Sequence, residues 1–211
     1  MATGSTTLAE LLDTIVADET TAVRLIRSAP GLAQAHVADE RLVVEVPHQL
    51  YVGDTALHLA AAALRPVAIA ALLEAGAEAN AGNRRGAIPL HYACDARPDG
   101  AQAWKPASQR TVIELLLDAG SDIERTDKSG AAPLHRAIRA RSPEAVRCLL
   151  ERGARVDATH GRQRSTPLDL ATHSTGASGT KGTHAEQQAI VDLLLQYGAD
   201  PLAPHRSRPT G

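Results

Sequence analysis

A short segment with nearly the same residues returns four times along this chain of 211 residues. Each copy has a central Leu, followed by His in three copies and by Asp in the fourth, and an Ala three residues after the Leu. A second segment, Leu-Leu-x-x-Gly, follows every copy. The central residues lie 33, 44 and 34 residues apart, at Leu57, Leu90, Leu134 and Leu168, and the second segments end at Gly76, Gly120, Gly153 and Gly198. Two segments that recur in step predict a repeat architecture, whose core extends along an axis rather than around one centre.

Each unit is predicted to be a pair of short helices. In the copy without an insertion, Pro133 suits the first helical position, because the N–H that Pro lacks has no partner there. Ser142 and Pro143 end the first helix, expected over about 133–140, and start the second. Gly153 closes the second helix, since a left-handed residue after a helix is least strained as Gly. Apolar residues at i, i+3 and i+4 give every second helix one apolar stripe, namely Ile69, Leu72 and Leu73; Ile113, Leu116 and Leu117; Val146, Leu149 and Leu150; and Val191, Leu194 and Leu195.

The first segment resembles the ankyrin repeat, because each copy matches the pattern Thr-Pro-Leu-His-x-Ala with one change. The resemblance covers about residues 5–203 and implies an all-α solenoid of about five helix-turn-helix repeats with β-turn or hairpin fingers. Residues 41–46 are β-prone and are expected in a longer first finger that ends at Gly53. The expected units are 1–50 (a degenerate N-terminal repeat and the long first finger), 51–83, 84–127, 128–160 and 161–203, with a disordered tail at 204–211.

Two of the four copies lack a side chain that can cap the first helix. Thr55 and Thr166 can accept a free backbone N–H at the helix start, a contact worth about 0.5–2 kcal/mol. Ile88 and Ala132 cannot. The units that begin with Ile88 and Ala132 are therefore expected to be locally weaker, unless neighbouring groups compensate.

The histidines favour structure over metal binding. His58, His91 and His135 occupy the same position in successive units, and stacked helix pairs lie about 10 Å apart. Zinc needs its ligands about 2.0–2.1 Å from one ion. The resemblance implies that each His hydrogen-bonds the backbone between adjacent fingers. His173 and His184, which bracket an insertion, lack a Cys or carboxylate at ligand spacing, so no metal is predicted.

No motif in the sequence predicts catalysis or a cofactor. A nucleophile elbow, a P-loop, an H-E-x-x-H helix and paired C-x-x-C segments are all missing from the sequence. Residues 175–182 are rich in Gly but fit a flexible loop better than a phosphate loop. A non-catalytic protein without catalytic residues, metal or cofactor is expected.

Composition points to a soluble protein of the cytoplasm. The net charge is −2, so bulk charge disfavours nucleic acid as a partner. No stretch approaches the roughly 18 apolar residues of a membrane span. Cys94 and Cys148 fit reduced core positions on helices of different units. We expect a monomer that does not enter membranes.

Two insertions of about 11 residues fall between the two helices of the third and fifth units, at about 97–108 and 174–184. They are either tolerated surface loops or a paired clamp on the side opposite the fingers. Trp104, the only Trp, is a possible second contact on the first insertion.

The resemblance places partner binding on the concave face, formed by the fingers and the exposed side of the first helices. Residues 131–165 carry eight Arg against three acids, whereas residues 1–50 carry seven acids against three Arg. Solvated charge is one explanation, and binding of an acidic protein along the fingers is the other, because Arg pairs well with carboxylates. Phosphate or nucleic-acid binding through the basic fourth unit and self-association through oppositely charged ends are alternatives. The predicted contacts are Tyr51 as an aromatic anchor, with Arg84, Arg85, Asp95, Lys128, Arg139, Arg162 and Gln163; the same face includes Asp54, Ser129 and Ser165.

Overall fold

The computed structural model describes residues 6–43, 46, 48–95, 106–161, 164–172 and 184–201. Ten α-helices lie in these residues: α1 (Leu8–Ala17), α2 (Glu19–Ser28), α3 (Ala56–Ala62), α4 (Pro66–Glu74), α5 (Pro89–Cys94), α6 (Pro106–Asp118), α7 (Pro133–Arg139), α8 (Pro143–Glu151), α9 (Pro167–Thr172) and α10 (His184–Gln196). A 3-10 helix (Pro30–Gln34) and two strands, β1 (Arg41–Val43) and β2 (His48–Leu50), lie between α2 and α3.

The helices form two layers. The odd-numbered helices contact one another in order from α1 to α9, and the even-numbered helices do the same from α2 to α10. The two helices of every consecutive pair also contact each other. Each pair thus hides its apolar side against the next pair, which confirms an all-α repeat fold.

Most residues of the predicted apolar stripes are buried in the interior of the row, whereas Leu73 and Leu117 are only half-buried. Ile69, Leu72, Ile113 and Leu116 are inaccessible to solvent, as are Val146 and Leu149. The last stripe was only partly right, because Ile190, Leu193 and Leu194 are buried on α10 whereas Leu195 is 42% exposed. Among the described residues no further helix pair packs on α10, and Leu195 is more exposed than the equivalent Leu73, Leu117 and Leu150.

The helix boundaries follow the predicted Pro and Gly signals. α7 begins at Pro133 and α8 at Pro143, after an N-cap at Ser142 whose hydroxyl accepts from the Ala145 N–H. The four Gly residues of the Leu-Leu-x-x-Gly segments have φ of 83–90°, the left-handed region that closes a helix most cheaply with Gly.

The insertions are shorter than predicted at their C-terminal ends. α6 begins at Pro106, so residues 106–108 are helical and not loop, because Pro is well placed in a first helical turn. His184, assigned to the second insertion, is the first residue of α10. Both insertions otherwise lie outside the described residues, as do the Gly-rich segment at 175–182 and the tail at 204–211.

The N-terminal region is a helix pair followed by a hairpin. β1 and β2 pair antiparallel, with Arg41 opposite Leu50, which agrees with the β-prone first finger. The Glu19 carboxylate accepts from the backbone N–H groups of Val67 and Ala68, both at 2.9 Å, so α2 caps the start of α4. The first pair is thereby fixed to the second.

Candidate functional site

Tight turns at residues 51–54, 83–87 and 127–131 form the tips of successive fingers. In the second finger, the Asn83 N–H donates to the Ala87 carbonyl at 3.0 Å, and in the third the Asp127 N–H donates to the Ala131 carbonyl at 3.0 Å. Gly53, Gly86 and Gly130 lie at the same place in the three turns, with φ of 89°, 74° and 83°. These positive φ values allow the chain to turn sharply without strain.

Backbone hydrogen bonds join the three tips into one surface. The Arg84 N–H donates to the Val52 carbonyl at 2.8 Å, and the Lys128 N–H donates to the Arg85 carbonyl at 2.8 Å. The same bond therefore repeats from one finger to the next, which fixes the tips relative to one another.

Side chains inside the turns hold each finger in shape. The Asn83 side-chain oxygen accepts from the N–H groups of Arg85 (2.8 Å) and Ala87 (3.1 Å). Asp127 takes this role in the next finger and accepts from the N–H groups of Ser129 (2.8 Å) and Ala131 (3.1 Å). Burial opposes the charge of Asp127, but hydrogen bonds from Ser129 and Arg136 outweigh it and hold the pKa of Asp127 well below its usual range.

Three equivalent histidines tie each first helix to the next finger. The Nδ1 atoms of His58, His91 and His135 each accept, at 3.1 Å, from the backbone N–H three residues earlier. Their Nε2 atoms lie 3.2, 3.0 and 2.8 Å from backbone carbonyl oxygens in the following finger, those of Ala87, Ala131 and Ala158. Since a carbonyl only accepts, Nε2 carries the proton and the rings are neutral. Burial lowers the pKa of His58 and of His135 to about 4 and also lowers that of His91.

These contacts confirm the structural interpretation of the histidines. His91 and His135 accept the N–H groups of Ile88 and Ala132, but His58 makes the same bond to Thr55, so these rings do not replace a Thr cap. Asp169 replaces the His in the last unit and forms a reciprocal pair with Thr166, as expected for a capping Thr. Within the part of the chain that the structure describes, no group of three or more His, Cys, Asp or Glu could hold a metal ion.

Tyr51, Arg84 and Arg85 meet at the first two tips. The Arg85 guanidinium carbon lies 4.4 Å from the centroid of the Tyr51 ring, and that of Arg84 lies 5.8 Å away. Both distances fall within the range of a cation–π contact. Arg84 also pairs with the carboxylate of Glu40, which lies just before β1. The predicted aromatic anchor is thus partly covered by the two cations beside it.

Asp54 was wrongly placed on the surface. Its carboxylate is fully buried and accepts from the Tyr51 N–H (2.7 Å), the Tyr92 hydroxyl (2.7 Å) and the Asn83 side-chain amide (2.8 Å). Burial, together with the Asp54 charge, raises the pKa of Tyr92 well above its usual range, so its hydroxyl stays a donor. Asp54 therefore holds the Tyr51 finger from within and is not available to a partner.

Asp95 is engaged within the molecule rather than free to bind. Its carboxylate pairs with the Arg136 guanidinium, which also pairs with Asp127. Sequence reasoning missed Arg136. A signal was present, because Arg136 occupies the position that holds Leu59, Tyr92 and Leu170 in the other units, and a charge in that apolar column needs an internal partner.

Of the other predicted contact residues, some are exposed, one is half-buried and the rest lie outside the described residues. Lys128 and Arg139 are exposed, and neither forms an ion pair within the described residues. Ser129 is exposed, although its hydroxyl donates to Asp127 at 2.6 Å, and Ser165 is half-buried. Arg162, Gln163, Trp104 and His173 lie outside the described residues, as does the side chain of His184.

The positive charge of residues 131–165 is partly neutralised by ion pairs with residues outside this segment. Arg136 pairs with Asp95 and Asp127, and Arg152 pairs with Asp118. In the other direction, Arg110 of α6 pairs with Glu144 and Glu151. The bare count of charges therefore overstates the field that this segment presents to a partner.

A comparison with protein-family models gives a match over the second half of the chain. A family model described as "Ankyrin repeats (3 copies)" matches residues 101–205. A search of the curated proteins finds no match to the chain. In the described part of the chain, every helix is too short or too polar to cross a membrane.

Proposed function

The chain belongs to the ankyrin repeat family, whose domains are generally protein–protein interaction modules and typically non-catalytic, and we propose that it binds an acidic protein on its concave face. We assign the whole of residues 1–203 to one ankyrin domain of five units, with the boundaries predicted above. The assignment rests on five consecutive helix pairs that stack in the same two layers.

One observation carries this proposal: the tips of adjacent fingers present cations on a scaffold that is already ordered. Arg84, Arg85 and Lys128 are exposed at the second and third tips. The backbone bonds between the tips, and the histidines beneath them, hold these residues in place before any partner arrives. A preordered surface loses little conformational entropy on docking, so more of the contact energy appears as affinity.

The exposed charge also favours an acidic partner over a basic one. The acids within the turns, Asp54 and Asp127, are buried and satisfied by internal hydrogen bonds. Arg139 on α7 adds an exposed cation on the layer of first helices. Carboxylates on the partner would speed its approach to this face, because complementary charge raises association rates more than it raises affinity.

Charge reversal at two adjacent tip residues tests the proposal. We expect the double variant R84E/R85E to lose capture of the native partner from the cell of origin, or to bind it more slowly, with little change in melting temperature. The matched control is R27E/R147E, which makes the same change in charge at exposed residues of α2 and α8, in the other helix layer. Equal partner capture by the wild type and R84E/R85E would refute the concave site.

Among the described residues, no contact favours either of the two alternatives from the sequence. Nucleic-acid or phosphate binding through residues 131–165 predicts a steep fall in affinity for generic DNA or RNA as salt rises. Self-association through the two ends predicts sedimentation that depends on protein concentration and on salt. The contribution of the insertions and Trp104, the monomeric state and the cytoplasmic location stay predictions.

A further inference from the structure

The Glu40–Arg84 ion pair fills a position on the finger tips that a partner carboxylate could take. We infer that the natural ligand is an extended acidic protein segment that crosses the tips, and that Glu40 competes with it for Arg84. This inference rests on the proposed function and adds the conformation of the ligand, the spacing of its acids and an internal competitor.

The tips form a regular row. Tyr51, Arg84 and Lys128 occupy equivalent positions, because the N–H of Arg84 and that of Lys128 donate to the residue after their counterpart in the preceding finger. The inner helices beneath them pack in order from α3 to α7. Packed helices lie about 8–10 Å apart, so equivalent tip residues repeat at about that distance.

An extended chain matches this spacing with acids three residues apart. In the extended polyproline-II conformation a chain advances about 3.1 Å per residue and turns once every three residues, so acids three residues apart lie about 9 Å apart on the same side. In contrast, an α-helix covers only about 4.5 Å over three residues. A segment with an acid at every third residue can therefore place successive carboxylates at Arg84 and Lys128 only when it is extended.

The charges of the row suit such a segment. Arg85 and Lys128 form no ion pair with a described residue, and Arg85 is held over Tyr51. None of the exposed residues in the three tips is acidic, because Asp54 and Asp127 are buried. Glu40 is the acid that reaches the row, and it comes from the neighbouring loop before β1.

Displacing Glu40 is within reach of a ligand. The two side chains are exposed, with 53% of Arg84 and 35% of Glu40 accessible to solvent. Exposed ion pairs contribute little free energy, since their charges are screened by water. Removing the competitor should therefore raise affinity by about two- to fivefold, the upper part of the range that such pairs span.

The chain offers a matched control next to Glu40. Glu40→Gln removes the competitor and one negative charge. Asp39→Asn removes the same charge at the adjacent exposed residue, which lies in the same loop and does not pair with Arg84. A general change in electrostatics affects both variants alike, whereas loss of a competitor affects only E40Q.

The experiment measures Kd by fluorescence anisotropy for two labelled peptides of about twelve residues and equal charge. One peptide has Glu at every third position with Gly and Ser between, and the other has the same residues with all Glu in one block. We expect the spaced peptide to bind at least about threefold more tightly than the block peptide. We also expect E40Q to bind the spaced peptide about two- to fivefold more tightly than the wild type, with D39N close to the wild type.

Three results would overturn the inference. Equal affinity for the two peptides would show that the row does not recognise the spacing of the acids in an extended segment. Equal gains in affinity in E40Q and D39N would show that Glu40 does not compete with the ligand for Arg84. Tighter binding of a single-stranded oligonucleotide of equal charge than of either peptide would show that the row recognises phosphate. These failures differ from failure of the proposed function, in which R84E/R85E still captures the native partner.

Discussion

The Nε2 atom of His135 lies 2.8 Å from the carbonyl oxygen of Ala158, at the end of the same unit and just before the next one begins. The same ring accepts the backbone N–H of Ala132 through Nδ1. One neutral imidazole thus satisfies two backbone groups that belong to different elements. This requires the ring to stay unprotonated, because Nδ1 cannot accept a hydrogen bond once it carries a proton.

The first prediction concerns pH and stability. The pKa of His135 is about 4 in the folded protein and about 6.5 in an unfolded chain. Only the unfolded state binds the proton between these values, so the stabilisation is complete above pH 6.5 and is lost as pH falls toward 4. Asn does not titrate and cannot reach both backbone groups, so His135→Asn should lower the free energy of unfolding by about 1–3 kcal/mol at pH 7.5.

Urea unfolding at pH 7.5 and pH 5.0, followed by circular dichroism, measures this effect. The gap in stability between wild type and H135N should narrow at pH 5.0, since only the wild type loses the contribution of that ring. Arg147→Gln, at an exposed residue of α8 that does not titrate between these pH values, is the control and should follow the wild type at both. A gap of unchanged size at the two pH values would contradict the role of the neutral ring.

The second prediction concerns backbone strain in the last described finger. Arg164 occupies the position of Gly53, Gly86 and Gly130, and it has a φ of 51°. A left-handed conformation costs a residue with a side chain about 1–2 kcal/mol. Arg164→Gly should therefore stabilise the protein by about 0.5–1 kcal/mol, after allowance for the greater entropy of Gly in the unfolded chain.

The reciprocal change provides the control for this comparison. Gly130→Ala introduces a Cβ at a φ of 83°, with the Gly161 nitrogen 3.4 Å from the added atom. It should destabilise the protein by about 1–2 kcal/mol. Thermal or urea unfolding of both variants decides the matter, and a loss of stability in R164G would show that its side chain makes a contact worth more than the strain.

The third prediction concerns the link between Asp95, Arg136 and Asp127. Arg136→Leu restores the residue type found at Leu59 and Leu170 but leaves Asp127, whose side chain is 3% exposed, without its cation. We expect a loss of about 1–3 kcal/mol, because an uncompensated buried charge is costly. The measurement is the free energy of unfolding in urea.

A double-mutant cycle separates this charge effect from the loss of packing. Asn at position 127 keeps the side-chain oxygen that accepts the turn N–H groups, as Asn83 does in the preceding finger. D127N/R136L should therefore lose at least about 1 kcal/mol less than the sum of the single variants. Additive losses would mean that the pair is not coupled.

Sequence reasoning captured the features that local residues encode. Pro133, Pro143 and Gly153 mark helix ends because their effects on the backbone need no distant partner. The histidine brackets were also predicted, because the ankyrin resemblance supplied their role. The same reasoning failed for Leu195, since burial depends on whether another helix covers that face of α10.

Surface residues were harder to assign than helices. Asp54 and Asp95 were both predicted to face a partner, yet one is buried in a hydrogen-bond network and the other pairs with Arg136. A carboxylate looks the same in sequence whether its counterion is a partner protein or a residue 41 positions away. Local pattern gives no information about such a choice.

By itself, the sequence determined the unit of this protein and its repetition: two helices, a turn, and an apolar stripe that needs a neighbour. Period and composition suffice for this, because helix formation and amphipathic packing depend on residues a few positions apart. Only the tertiary structure decided which charges are available. Glu40 reaches Arg84, and Arg136 reaches Asp95 and Asp127, through contacts between units. Electrostatic energy depends on distance in space and on burial, and neither quantity can be read from the order of residues along the chain.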